Sequence, residues 1–156
     1  MKKIFLAAIV FFSIAIGSAT AQSNVGSYNY KNALGVKFYP GGVSYKHFVN
    51  EKDALELIGY FWNRGTRITG LYEIHGNIEN ANGLRWYIGP GAHVGFYNNK
   101  YYNGRTYFGV DGVIGLDYKI KSAPINLSLD WQPSFEFGDG AGFNGNWGGF
   151  AIRYVF

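Results

Sequence analysis

The 156-residue sequence contains no cysteine, so it can form neither a disulfide framework nor a thiolate metal site. Charged residues make up only 15% of the chain, well below the roughly 25% that is usual for soluble domains. Setting aside Lys2 and Lys3 leaves 12 basic and 10 acidic residues, and no run of like charge occurs. The charge balance therefore gives no support for nucleic-acid binding, and we expect no nucleic-acid partner.

Only one apolar run is long enough to need an explanation, and it lies at the N-terminus. Lys2 and Lys3 precede an apolar stretch over residues 4–16, which is followed by the small residues of 17–21. This order predicts a signal peptide over residues 1–21 that directs export of the chain through the inner membrane and is cleaved before Gln22. The alternative is a membrane anchor, but the run is shorter than the ~20 residues that a spanning helix needs.

The remaining composition favours strands and tight turns, with 23 glycines and 19% aromatic residues. Residues 22–32 are polar and aperiodic, which predicts a flexible N-terminal lead. From residue 33 onward apolar and polar side chains alternate, most clearly over residues 125–137, where one face is wholly apolar and the other is polar. This period of two is typical of strands whose faces meet different environments.

The alternation and the turn residues between its segments predict eight strands joined by short connections. They cover residues 34–39, 43–49, 54–63, 67–78, 84–97, 107–119, 125–137 and 147–156. We therefore expect an all-β fold over residues 33–156, an eight-stranded antiparallel up-and-down transmembrane β-barrel. With both chain ends on the periplasmic side, the first, third, fifth and seventh connections face outward.

The size of the apolar side chains distinguishes a membrane barrel from a soluble one. Eight strands enclose only enough room for side chains to fill, and one face carries ten large rings. These are Trp86, Phe96, Phe108, Tyr118, Trp131, Phe135, Phe137, Phe150, Tyr154 and Phe156. We expect them to face lipid, with glycine and small polar groups inside. The alternative is a secreted soluble barrel whose aromatic face lines a ligand cavity.

The C-terminal end carries the most specific resemblance to known proteins. Phe150, Ile152, Tyr154 and Phe156 alternate with other residues up to a terminal aromatic side chain. Over about residues 33–156 the chain resembles the small outer-membrane barrels of the OmpA/OmpX-like superfamily. The resemblance implies an address in the cell outer membrane, contacts with its lipid and lipopolysaccharide, and insertion by the barrel-assembly machinery, which reads such an end. It implies no ligand, and we expect a monomer.

Turn positions predict which charged side chains meet inside the barrel. The expected neighbours are Asp130 with Arg153, Arg85 with Asp117, His93 with Asp111, Lys46 with both Glu56 and Lys37, and Glu73 with Tyr87 and Arg85. We predict a structural ion-pair network that fills the lumen, because a charge facing lipid would be costly and an interior charge needs a partner. The alternative is a narrow channel that opens when Asp130 and Arg153 change partners.

Catalytic and metal sites find little support in the sequence. The predicted pairing separates His47, His75 and His93, so we expect no histidine metal site and no cofactor. Ser134, Asp111 and His93 are the nearest set to a hydrolytic triad. Polar filling of the lumen accounts for the same residues, so we expect no enzyme, although a lipid-modifying envelope enzyme is a third alternative.

The outward connections are the best candidates for binding. One holds Tyr101, Tyr102 and Asn103, and the next holds Phe143 and Trp147. Such side chains can stack on and hydrogen-bond a glycan or a protein, although an aromatic girdle with ordinary turn residues explains them equally. The leading hypothesis is a non-enzymatic outer-membrane protein that supports envelope integrity or surface interaction.

Overall fold

A computed structural model of the chain describes residues 30–98, 100, 105–138 and 141–156. The predicted signal peptide lies outside these residues. Within them, no helix is long and apolar enough to cross a membrane. The strands are β1 (Asn32–Phe38), β2 (Gly42–Phe48), β3 (Asp53–Trp62), β4 (Gly65–Asn77), β5 (Leu84–Tyr97), β6 (Thr106–Lys119), β7 (Ile125–Trp131), β8 (Ser134–Phe137), β9 (Gly142–Asn144) and β10 (Gly148–Val155).

The strands form one closed antiparallel barrel. Each strand from β1 to β6 pairs with the next along the chain, β6 pairs with both β7 and β8, and β10 pairs with β7. Pairing of β1 with β10 closes the sheet, so that Ala33 lies opposite Val155. The predicted all-β, eight-stranded, up-and-down barrel is confirmed, with β7 and β8 together forming the seventh barrel strand and β9 and β10 together forming the eighth.

Pro133 divides the strand that was predicted over residues 125–137. Proline has no backbone N–H, so the ladder is interrupted between β7 and β8. The register nevertheless continues, because Trp131 lies opposite Ile114 and Ser134 lies opposite Asp111. Side chains therefore keep alternating through the break as the sequence predicts.

Three connections differ from the sequence interpretation, and each difference shifts a register. The segment predicted as a loop over residues 138–146 contains β9, which pairs with β8 around a tight turn. Arg153 therefore lies opposite Asn126, and Asp130 lies opposite Gly149. The prediction that Asp130 faces Arg153 is wrong, because β9 moves the centre of this connection toward the N-terminus.

The first connection is shifted in the same way. β2 already begins at Gly42, inside the predicted turn, and Gly42 lies opposite Lys37. Lys46 lies opposite Ala33, four positions away along β1, so the predicted contact between Lys37 and Lys46 is wrong.

The β4–β5 connection shows a smaller shift in the opposite direction, toward the C-terminus. Tyr87 lies opposite His75 and Arg85 lies opposite Asn77. Tyr87 is therefore a diagonal neighbour of Glu73, as predicted, whereas Arg85 lies four positions away from it along the pair.

The two faces of the sheet have inverted polarity compared with a water-soluble barrel. All ten rings of the predicted outward set are exposed, between 38% and 58%. The inward face holds four cations that are at most 1% exposed, namely Lys37, Lys46, Arg67 and Arg153. A small apolar cluster around Ile58, Leu71 and Val113 packs between these polar groups. The barrel thus keeps its charges inside and its large apolar side chains outside.

Candidate functional site: the polar barrel interior

The largest group in the lumen is a cluster around Lys46. Its Nζ atom lies 2.7 Å from Glu73 Oε2, 3.4 Å from Asp117 Oδ2 and 3.7 Å from Glu56 Oε2. All four side chains are nearly or fully buried. The cation therefore links β2 to carboxylates on three other strands, and it compensates charges that burial alone would make very costly.

Arg153 joins this cluster from β10. Its guanidinium forms an ion pair with Glu56, and its Nε donates to Ser44 Oγ over 2.6 Å. Nη1 donates to Ser128 Oγ over 2.7 Å and to Asn126 Oδ1 over 3.2 Å. Every nitrogen of this buried side chain has a partner, so Arg153 connects β10, β7, β2 and β3 across the lumen.

Nearer the middle of the barrel, Lys37 and Asp130 form a second buried ion pair. Tyr87 donates to Asp130 Oδ2 over 2.7 Å, and Gln132 Nε2 donates to Asp130 Oδ1 over 3.0 Å. Tyr60 in turn donates to Gln132 over 2.8 Å. Asp130 thus belongs to the predicted interior network, but its cationic partner is Lys37 rather than Arg153.

A third group lies toward the end of the barrel that is opposite the chain termini. Arg67 forms an ion pair with Asp111, whose Oδ2 lies 2.9 Å from His93 Nδ1. Glu136 approaches the other side of Arg67, with its Oε1 3.9 Å from Nη1. The predicted contact of His93 with Asp111 is present, whereas Arg67 was missed. Arg67 lies on the same face of β4 as Glu73, and this alternation could have predicted that Arg67 points into the lumen.

Two tyrosine rings fill the lumen by lying over glycines of the neighbouring strand. Tyr87 lies opposite Gly115, and Tyr107 lies opposite Gly95. A Cβ atom would lie 2.6 Å from the Tyr87 ring at Gly115 and 2.1 Å from the Tyr107 ring at Gly95. The glycines at these two inward positions therefore make room for aromatic rings that fill the lumen.

Substitution of Gly115 by alanine is expected to destabilise the barrel by about 1–3 kcal/mol, because the Cβ would overpack against Tyr87 and Asp130. The denaturant midpoint of the protein in detergent micelles measures the effect. Gly70→Ala is the matched control, since a Cβ at Gly70 would have no atom within 4 Å. Equal midpoints for the two variants would contradict the tight packing.

Other predicted interior residues lie in the expected register but differ in their contacts. Lys46 lies opposite Glu56 and Arg85 opposite Asp117. The Arg85 guanidinium, however, donates to the backbone oxygen of Glu51 over 2.5 Å at the rim of the barrel. Arg85 is therefore a rim residue, while the other predicted network residues are buried in the lumen.

His93 and Asp111 of the triad candidates are in contact, whereas Ser134 and His47 have other partners. His47 lies on the outward face, with Nδ1 2.8 Å from Asn32 Oδ1. Ser134 lies opposite Asp111, yet its hydroxyl donates to the backbone oxygen of Asn144 over 3.4 Å. Among the residues that the structure describes, no group of histidine and carboxylate side chains has the arrangement of a metal site.

The predicted binding residues of the loops fall into three categories. Tyr101, Tyr102 and Asn103 lie outside the described residues. Phe143 is 69% exposed. Trp147 precedes β10 and packs inside the barrel mouth rather than in an exposed loop, with its ring 5.0 Å from Tyr60 and 4.1 Å from the Arg67 guanidinium. The residues of the predicted assembly signal, Phe150, Ile152, Tyr154 and Phe156, are all exposed on the outer face.

The fold and the interior define a closed, eight-stranded, up-and-down barrel with a charged lumen and an apolar exterior. No family model, curated protein or solved structure matches this chain.

Proposed function

We propose that the chain is an integral outer-membrane β-barrel protein without enzymatic activity, which supports envelope integrity or takes part in surface interactions. The observation that carries the proposal is the inverted polarity of the barrel. The apolar outer face of the barrel suits a lipid environment. In water this face would be an exposed apolar surface far larger than the patches that soluble monomers tolerate. Closure also gives each barrel strand a hydrogen-bonded neighbour on both sides, as a membrane requires.

The filled lumen favours a structural or surface role over transport. Ion pairs around Lys46, Lys37 and Arg67 occupy successive levels of the interior, and Tyr87 and Tyr107 fill the space beside them. A solute would have to displace buried and mutually compensated charges in order to pass. A narrow gated channel is the weaker alternative, and conductance in a planar bilayer discriminates between the two.

The test of the proposal is fractionation followed by electrophoresis with and without boiling. After expression with its N-terminal segment, the protein is expected to stay in the urea-washed outer-membrane pellet and to change its gel mobility on boiling. A closed barrel with continuous strand pairing resists detergent until it is heated, whereas an unfolded chain binds detergent at once. A protein that washes off with urea and shows no mobility change would contradict the membrane assignment and favour the soluble barrel.

A further inference from the structure

Five aromatic rings converge at one mouth of the barrel, and we call them the mouth cluster: Tyr60, Trp62, Tyr97, Tyr107 and Trp147. Trp62 ends β3, Tyr97 ends β5 and Trp147 precedes β10, so the cluster lies at the end opposite the chain termini. Its rings contact one another, with centroids 5.3 Å apart for Trp62 and Trp147 and 6.2 Å apart for Trp62 and Tyr97. Trp62, Tyr97 and Trp147 are only half-buried, so part of the cluster is accessible from outside.

Among the residues that the structure describes, four buried polar atoms in or beside these rings have no hydrogen-bond partner: Arg67 Nη1, His93 Nε2, Tyr107 Oη and Trp147 Nε1. Arg67 is fully buried beneath the Trp147 ring, and His93 lies 5.6 Å from Tyr107 between ring centroids. Buried polar groups are nearly always satisfied in folded proteins, so a group of unpaired ones requires an explanation. A ligand that brings hydrogen-bonding atoms to the mouth would supply the missing partners.

The charges and the unpaired atoms together restrict the chemistry of that ligand. Arg67 already faces two carboxylates, Asp111 and Glu136, so an added anion would meet net negative charge. A quaternary ammonium ion suits aromatic rings but offers no acceptor to the N–H groups of Arg67 and Trp147. A neutral molecule with many hydroxyl groups both donates and accepts, and its C–H faces pack on aromatic rings.

We propose that the mouth cluster, together with Arg67, His93 and Glu136, binds a neutral sugar unit of a glycan. Trp147 and Trp62 provide apolar surfaces for the ring of the sugar. Arg67 Nη1 and Trp147 Nε1 donate to its hydroxyl oxygens, and Glu136 accepts from its hydroxyl groups. This inference deepens the proposed function, and rests on it only for the statement that the mouth faces the outside of the cell.

The test is isothermal titration of the full barrel, purified in a polyoxyethylene detergent because detergents with sugar head groups would compete. The probes are three neutral trisaccharides, namely maltotriose, mannotriose and chitotriose. At least one is expected to bind saturably to the unmodified protein. Trp147→Ala should weaken that binding about tenfold, as loss of an aromatic contact and a hydrogen bond implies. Trp147→Phe keeps the ring and should weaken it less.

Trp86→Phe is the matched control, since Trp86 is 42% exposed on the outer face and lies opposite Gly76 near the other end of the barrel. It should bind like the unmodified protein, and the heat-dependent mobility change verifies that each variant is folded. Three results would each overturn the proposal. None of the trisaccharides binds saturably, or only inorganic phosphate or choline binds, or the Trp147→Ala variant binds the sugar as tightly as the unmodified protein does. If the protein binds the sugar but is washed off the membrane, the sugar site is supported and the outer-membrane assignment is refuted.

Discussion

Replacement of Arg153 by methionine is expected to destabilise the barrel by about 3–5 kcal/mol, the usual effect of removing one partner from a buried ion pair. Arg153 is fully buried, and methionine would leave Glu56 without its guanidinium partner. Ser44, Asn126 and Ser128 would each lose a hydrogen bond as well. The hydrophobic gain from methionine cannot offset these losses, because the remaining polar atoms stay buried.

The free energy of unfolding in guanidinium, followed by fluorescence of the barrel in detergent micelles, measures this effect. Arg64→Met is the matched control, since Arg64 is exposed in the turn between β3 and β4, and it should change the stability by less than about 0.5 kcal/mol. Adding Glu56→Gln to Arg153→Met should restore part of the loss, because the unpaired charge is then removed. If Arg153→Met is as stable as Arg64→Met, the interior ion pairs do not contribute to the stability of the barrel.

The faces of the strands could be predicted from the sequence because a strand alternates with a fixed period of two. Residues 125–137 illustrate how robust this signal is, since the alternation continues through Pro133 even though the ladder is interrupted there. Register was predicted correctly at two of the connections. The turn between β2 and β3 places Lys46 opposite Glu56, and the connection after β5 places Arg85 opposite Asp117.

Register failed where a connection contained structure that its composition did not indicate. Glycine and asparagine dominate residues 138–146, so β9 was not expected. A register error of a few residues exchanges interior partners, because long charged side chains reach neighbours two strands away. Lys37 meets Asp130 across β10, and Lys46 meets Glu73 across β3. Such contacts depend on how far the strands are staggered when the barrel closes, which no local sequence pattern specifies.

The mouth cluster could not be predicted for the same reason. Trp62, Tyr97 and Trp147 lie at three strand ends that are distant in sequence, and only closure brings them together. Trp147 lies at the boundary between a predicted outward connection and the last predicted strand, so the sequence did not decide on which side of the sheet its ring lies. Its inward orientation follows from the register of β10, which begins at the next residue.

Introduction of an arginine at Ile114 is the sharpest test of the membrane environment. Ile114 is 52% exposed on the outer face, near the middle of β6, between Ile88 on β5 and Trp131 on β7. In a lipid bilayer Ile114→Arg is expected to destabilise the protein by about 2–4 kcal/mol, because an arginine at the midplane must leave water. The unfolding free energy in phospholipid vesicles measures this cost.

Val49→Arg is the matched control, because Val49 is similarly exposed at 49% but follows β2 at the end of the barrel. Near the membrane interface the same substitution should cost only about 0–1 kcal/mol, since the guanidinium can reach water. The difference between the two variants therefore reports depth in the bilayer rather than the loss of an apolar side chain. A soluble barrel would accept arginine equally well at both positions, so equal costs would refute a membrane-embedded outer face even if the barrel itself were fully folded.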